Sequence, residues 1–135
     1  MVPQIVILDT NILTVPAQFG IDIFEETERE LETNIDFVIL ESVMRELERK
    51  FKNSSPAEKQ KFRIALDLTN RCRIEKKMDS NNKSSVDEQI LEFAKLSHGV
   101  IATNDKKLIE QAVSQGLPVL FLRGKKRLQL RGIIN

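Results

Sequence analysis

The sequence predicts an α/β fold built around a largely parallel sheet. Short apolar runs recur along it without the in-and-out alternation of a half-exposed strand, which is how strands buried on both faces read. Helical segments with recognisable caps fall between these runs. Buried strands alternating with helices call for right-handed crossovers between parallel neighbours.

The elements follow in chain order. Gln4–Asp9 (QIVILD) is the first strand and the most apolar. Ile23–Leu31 is the first helix. Phe37–Leu40 (FVIL) is the second strand, and the helix Ser42–Lys52 follows it directly. A third helix, Pro56–Cys72, has a capping box in front of it, with Ser55 as cap, Pro56 in the first turn and Glu58 three residues after the cap. Arg71–Glu75, around Ile74, is a weaker and more polar strand that suits a sheet edge. The helix Val86–Ser97 repeats the box with Ser85 and Glu88 and stops at Gly99. Val100–Thr103 (VIAT) is the next strand. Lys106–Gln115 starts at Asp105 and ends at Gly116, and Pro118 prevents continuation. Val119–Leu122 (VLFL) is the last strand. Lys52–Ser55 and Met78–Ser85 read as polar loops inside one domain, residues 1–135, with no internal repeat.

Composition narrows the function. The chain has 135 residues, 41% apolar and 30% charged, which is one domain with a heavily charged surface. One cysteine, Cys72, excludes a disulfide framework and a cysteine zinc cluster; one histidine, His98, excludes a multi-histidine zinc site in a monomer. The absence of a signal core and of a long apolar run gives the expectation of a soluble, cytoplasmic protein without a membrane partner. Net charge is +1, but it is unevenly spread. Residues 123–135 hold five bases (Arg123, Lys125, Lys126, Arg127 and Arg131) and no acid, which leaves 16 bases against 20 acids in residues 1–122. An acidic body with a basic tail is expected to hold a polyanion at one end and a cation elsewhere, unless the tail is merely a solvated segment. With seven Phe and no Trp or Tyr, base stacking is a minor source of specificity.

Ligands of an open parallel sheet bind beyond the carboxyl ends of its strands. Asp9 ends the first strand in Asp9-Thr10-Asn11, and Asp105 follows the fourth in Thr103-Asn104-Asp105. Asp87 lies in the first turn of its helix, and Glu46 lies in the helix after the second strand. Each has a structural alternative: helix caps for Asp9 and Asp105, a helix-dipole partner for Asp87. Glu46 and Glu48 both flank the apolar stripe Val43, Met44, Leu47 and Phe51, so periodicity does not choose between them. Carboxylates converging at one edge repel each other unless a cation neutralises them, and oxygen-only donors suit Mg²⁺ or Mn²⁺. Ser42, Asn11, Thr103 and Asn104 are candidates for orienting carboxylates or capping helices. His98 reads as a helix C-terminal residue and Cys72 as a buried small hydrophobe.

Four acids in this order and in these elements resemble the PIN domain, a family of metal-dependent ribonucleases. The likeness runs from Ile5 to about Leu122, and the stretch Gly116–Arg123 with the basic segment resembles both the rRNA-processing branch and archaeal stand-alone, toxin-like relatives. Glu41 departs from the family in standing where a proline often opens the second helix. The resemblance implies a three-layer α/β/α sandwich on a parallel five-stranded sheet of order 3-2-1-4-5. It implies Asp9, Glu46, Asp87 and Asp105 as metal ligands and catalytic residues, with Asn11, Thr103 and Asn104 in support. The activity implied is Mg²⁺- or Mn²⁺-dependent hydrolysis of RNA phosphodiesters. The five bases of residues 123–135 would hold the RNA, and homodimers are frequent in the family. Two other uses of the fold stay open: a non-catalytic RNA-binding or ribosome-assembly module, and a toxin–antitoxin endoribonuclease. A haloacid-dehalogenase-like phosphotransferase is disfavoured, because Asn11 stands where a second Asp is needed.

Overall fold

The structure is a computed structural model that describes residues 2–76 and 84–134. Six strands form one sheet in the order β3-β2-β1-β4-β5-β6. Strands β1 (Gln4–Leu8), β2 (Ile35–Leu40), β3 (Arg73–Glu75), β4 (Val100–Ala102) and β5 (Val119–Arg123) are parallel neighbours; β6 (Arg127–Arg131) is antiparallel to β5. The helices are α1 (Thr10–Leu13), α2 (Val15–Phe19), α3 (Ile23–Leu31), α4 (Glu41–Asn53), α5 (Pro56–Leu68), α6 (Val86–Ser97) and α7 (Lys106–Ser114). Right-handed crossovers put α1–α5 on one face, because β1 to β2 and β2 to β3 step the same way, and α6 and α7 on the other. The five-strand order expected from the family resemblance is therefore present, with a sixth strand added at its edge.

β1 lies at the centre because it has no polar face to show. Val6, Ile7 and Leu8 are fully buried between β2 and β4, and so are Val38, Ile39, Val100, Ile101 and Ala102. Gly99 lets β4 begin close to β1: a Cβ there would stand 3.0 Å from Ile7 Cδ1. Both serine N-caps form, with Ser55 Oγ accepting from the Glu58 N–H at 3.3 Å and Ser85 Oγ from the Glu88 N–H at 3.1 Å. His98 takes the left-handed conformation that closes α6, in line with its reading as a helix C-terminal residue.

The structure differs from the sequence reading in three places. The segment after Asp9 folds into the short helices α1 and α2, too brief for a helical period to register. The third helix stops at Leu68, passes through a 3₁₀ turn at Thr69–Arg71, and leaves Cys72 half-buried before β3. The basic segment is not a free tail. Its alternation Arg127-Leu128-Gln129-Leu130-Arg131 pairs with β5 from Val119↔Arg131 to Arg123↔Arg127, and Leu128 is buried. The outer edge of β6 is covered by α3: Glu26 and Glu30 accept the N–H groups of Leu128 and Leu130 at 3.2 and 2.8 Å. An edge strand treated this way offers no free ladder for another chain. The predicted loop Met78–Ser85 lies mostly outside the described residues. Among the described residues no helix is long and apolar enough to cross a membrane.

If β6 is integral to the core, Leu128→Ala should cost about 2–4 kcal/mol of unfolding free energy. Urea denaturation measures this, and a solvated tail would leave the midpoint unchanged.

Candidate active site at the carboxyl edge

Asp9 leaves β1 just where the neighbouring strand β4 ends. Its N–H donates to the carbonyl of Ala102 at 3.2 Å, so its position is set by the sheet. Its side chain caps α1: Oδ1 accepts from the Ile12 N–H at 2.8 Å. Oδ2 accepts from the Thr103 hydroxyl, whose oxygen in turn accepts the Asp105 N–H at 2.9 Å. Thr103 is fully buried and thus links the ends of β1 and α7 from behind the site. Asp105 caps α7, with Oδ1 accepting from Lys107 N–H at 2.9 Å and Leu108 N–H at 3.4 Å. The capping roles of Asp9 and Asp105 are therefore real, and they fix both carboxylates at the rim.

Four elements then enclose one pocket of about 200 Å³, lined by Asp9, Thr10, Asn11, Glu46, Lys50, Val86, Asp87, Ile90 and Asp105. All four acids picked out by the sequence face it. The helix α4 decides between its two glutamates: Glu46 lines the pocket, while Glu48 is exposed elsewhere. Of the supporting candidates, Asn11 lines the pocket and Thr103 buttresses Asp9. Asn104 instead faces an adjoining pocket, shared with Thr10, Asn11 and Lys50. Ser42 is not in the lining. Lys50 escaped the sequence reading, although its i+4 spacing from Glu46 was a usable signal. Its ammonium stands 3.8 Å from the Glu46 carboxylate.

The electrostatics are those of a site with excess negative charge. Burial, the largest cause, pushes Asp9 from 3.8 up to about 7; the hydrogen bonds from Thr103 and Ile12 oppose this, and the charges of Asp105 and Asp87 add to it. Asp87 is also raised, by burial first and then by Asp105 and Glu46, with Lys107 pulling the other way. A buried carboxylate facing further carboxylates is a cost to the fold that a cation removes.

The donor set suits a hard divalent ion, being carboxylate oxygen with an amide and a hydroxyl beside it. The buried Thr10 Oγ1 has no hydrogen-bond partner among the described residues, leaving a further oxygen unused at the pocket wall. Among the described residues no three acidic, histidine or cysteine side chains stand at the spacing of a closed metal cage. The acids surround the pocket rather than meeting in it, an arrangement that fits an ion keeping several of its waters. Cys72 takes no part: burial pushes its thiol up to about 12 against the pull of Arg71, which leaves it protonated and inert.

The basic residues divide. Arg123 and Arg127 are directly paired at the turn end of the β5–β6 hairpin, with Lys125 and Lys126 in the turn between them. Four cations thus stand at the carboxyl edge of β5, the same edge as the acids. Like charges placed in register cost stability, which an anion on this tip would relieve. Lys125 reaches back to α2, its ammonium 5.9 Å from the centre of the Phe19 ring. Arg131, paired with Val119, sits at the other end of the hairpin and away from that group.

A three-layer sandwich of this strand order with acids at its carboxyl edge defines a class. The PIN-like domain model matches residues 6–125, and the chain belongs to that family. A similar protein is the ribonuclease VapC4 of Methanocaldococcus jannaschii, 34% identical over 131 residues, which are 96% of this chain and 98% of that one. Among solved structures, the PIN domain endonuclease Utp24 matches with a TM-score of 0.76 at 26% identity, over 98% of this chain and 95% of that one. The VapBC-1 structure from nontypeable Haemophilus influenzae shares the fold, with a TM-score of 0.60 at 20% identity over 87% of this chain and 98% of that one.

The raised Asp9 carboxyl has a consequence for the metal-free protein. Unfolded Asp9 gives up its proton near 3.8 and folded Asp9 near 7, so the native state holds the extra proton between these values. Stability should therefore fall as pH rises through that interval and level off above about 7. In EDTA, Asp9→Asn should flatten this slope and melt above the wild type at pH 8. Thermal melts across the pH range check it; parallel curves for the two proteins would contradict it.

Proposed function

We propose that the chain is a divalent-metal-dependent ribonuclease that hydrolyses RNA phosphodiesters at the pocket of Asp9, Glu46, Asp87 and Asp105. The observation carrying this reading is the convergence of four carboxylates from four elements on one pocket, with the ionisation of Asp9 opposed by burial and by its neighbours. The names of two relatives, a ribonuclease and a PIN domain endonuclease, support the same chemistry.

The four acids would hold the ion, directly or through water, with Asn11 beside them. When bound, Mg²⁺ or Mn²⁺ supplies charge to offset the phosphate and lowers the pKa of a water for in-line attack. The residues of the chain do the rest. Thr103 and the Ile12 N–H fix both oxygens of Asp9, so the carboxylate is oriented before substrate arrives. The α7 cap does the same for Asp105. His98 ends α6 behind the sheet's opposite edge, so no imidazole serves as general base. The hairpin cations Arg123, Lys125, Lys126 and Arg127 would hold the RNA backbone through its phosphates, independent of sequence. Arg131, set apart from them, would contribute less.

The chemistry is common to an rRNA-processing role and to a toxin–antitoxin role; these differ in the RNA cut and in whether a partner blocks the pocket. A non-catalytic RNA-binding module would keep the hairpin contacts and lack turnover.

Cleavage of a labelled structured RNA should occur with Mn²⁺ or Mg²⁺, stop in EDTA, and fall at least about 100-fold in Asp9→Asn. Equal turnover by the variant would overturn the site, and salt-sensitive binding without cleavage would favour the non-catalytic module. Replacing Arg123, Lys125, Lys126 and Arg127 with Gln should weaken RNA binding and reduce its salt dependence by roughly 0.7 per lost phosphate contact. An unchanged slope would return the hairpin to a solvated surface.

A further inference from the structure

Next to the acidic pocket lies a second one of about 180 Å³, lined by Thr10, Asn11, Thr14, Gln18, Lys50, Lys61, Phe62 and Asn104. The two share Thr10, Asn11 and Lys50, so they adjoin across α1 and the Lys50 side chain. Their charges differ: four carboxylates and the shared Lys50 line one, while Lys50 and Lys61 line the other with no carboxylate. We propose that the second pocket is a subsite for a backbone phosphate of single-stranded RNA, next to the phosphodiester presented to the acids. The proposal rests on the nuclease reading given above.

Lys50 comes from α4 and Lys61 from α5, two helices packed against each other, and the pair is assembled only by that packing. Their side chains are 39% and 25% exposed, within reach of a ligand but held along the wall. Lys50 makes no hydrogen bond elsewhere among the described residues, and Lys61 makes one ion pair within its own helix. The Lys50 contact with Glu46, at 3.8 Å, is too long for a hydrogen bond. Lys61 pairs with Glu58 at 2.6 Å, but an i,i+3 pair on the surface contributes little and gives way to a better anion. Compact ammonium charges suit phosphate oxygens, and the amides of Asn11, Gln18 and Asn104 add neutral donors that carry no base preference. Phe62 closes one wall, with the Lys61 ammonium 4.9 Å from its ring centre.

The acidic pocket by itself repels a polyanion. Cations flanking it at this wall give the strand a place to sit before the bond to be cut is engaged, and they fix the side from which it crosses the acids. A phosphate here and the four cations of the hairpin would hold one strand at two points along the carboxyl edge.

The test is the affinity of a short fluorescent single-stranded RNA, measured by anisotropy in EDTA over a range of salt. Lys61→Gln should raise Kd about threefold or more and lower the slope of log K against log salt by about 0.7. Glu58→Gln, which releases Lys61, should tighten binding. Unchanged affinity and slope in Lys61→Gln would overturn the subsite. Should that variant melt early, Glu58→Gln decides: tighter binding supports the proposal and unchanged binding overturns it. The two readings fail separately. Weaker binding in Lys61→Gln with no metal-dependent cleavage by the wild type overturns the nuclease and leaves the phosphate site. Cleavage lost in Asp9→Asn, with Lys61→Gln binding like wild type, does the reverse.

Discussion

The carboxylate of Asp9 is buried at the end of the most apolar strand, and much of the molecule is arranged around that fact. A charge placed there would be intolerable without partners. Its two oxygens are taken by the Ile12 N–H and the Thr103 hydroxyl, which tie α1 and β4 to the end of β1. Thr103 then receives the N–H of Asp105, so the second acid is placed by the same chain of hydrogen bonds. Even so, burial and the facing acids hold the Asp9 carboxyl up to about 7. The fold carries this cost at the one spot where a hard cation would turn it into binding energy.

The sheet supplies the geometry. Parallel pairing of β1 with β2 and β4 brings the ends of all three strands to one edge, and each is followed by a helix that starts there. Helix α4 swings Glu46 and Lys50 in from one face, and α6 brings Asp87 from the other. The antiparallel β6 adds a different element: its turn carries Lys125 and Lys126 at the edge where Arg123 ends β5. Acids at the centre and cations on either side give one edge a charge pattern matched to a cation and to a polyanion together.

Much of this was legible in the sequence. Buried runs such as QIVIL and VIA announce central strands, and capping boxes at Ser55 and Ser85 mark helix starts to the residue. Asp9, Asp87 and Asp105 were legible because each ends a strand or opens a helix, positions the chain order exposes. Three things were not. Helices α1 and α2 are too short for a 3.6-residue period. The choice of Glu46 over Glu48 needed the rotation of α4 against its neighbours, which a flanking position on the apolar stripe leaves open. The pairing of Lys50 with Lys61 depends on α4 packing on α5, a contact between distant residues. The strand within the basic segment was hidden for a different reason. Five charges masked the alternation of Leu128 and Leu130, which is the signature of a half-buried strand.

The proposed function requires the acidic pocket to hold a divalent ion and Asp9 to be indispensable to that binding. Calorimetric titration of the metal-free protein with Mn²⁺ at neutral pH tests it most directly. Saturable binding is expected for the wild type, lost or weakened at least about tenfold in Asp9→Asn while that variant stays folded. Equal Mn²⁺ affinity in the two proteins, or no binding by either, would contradict it.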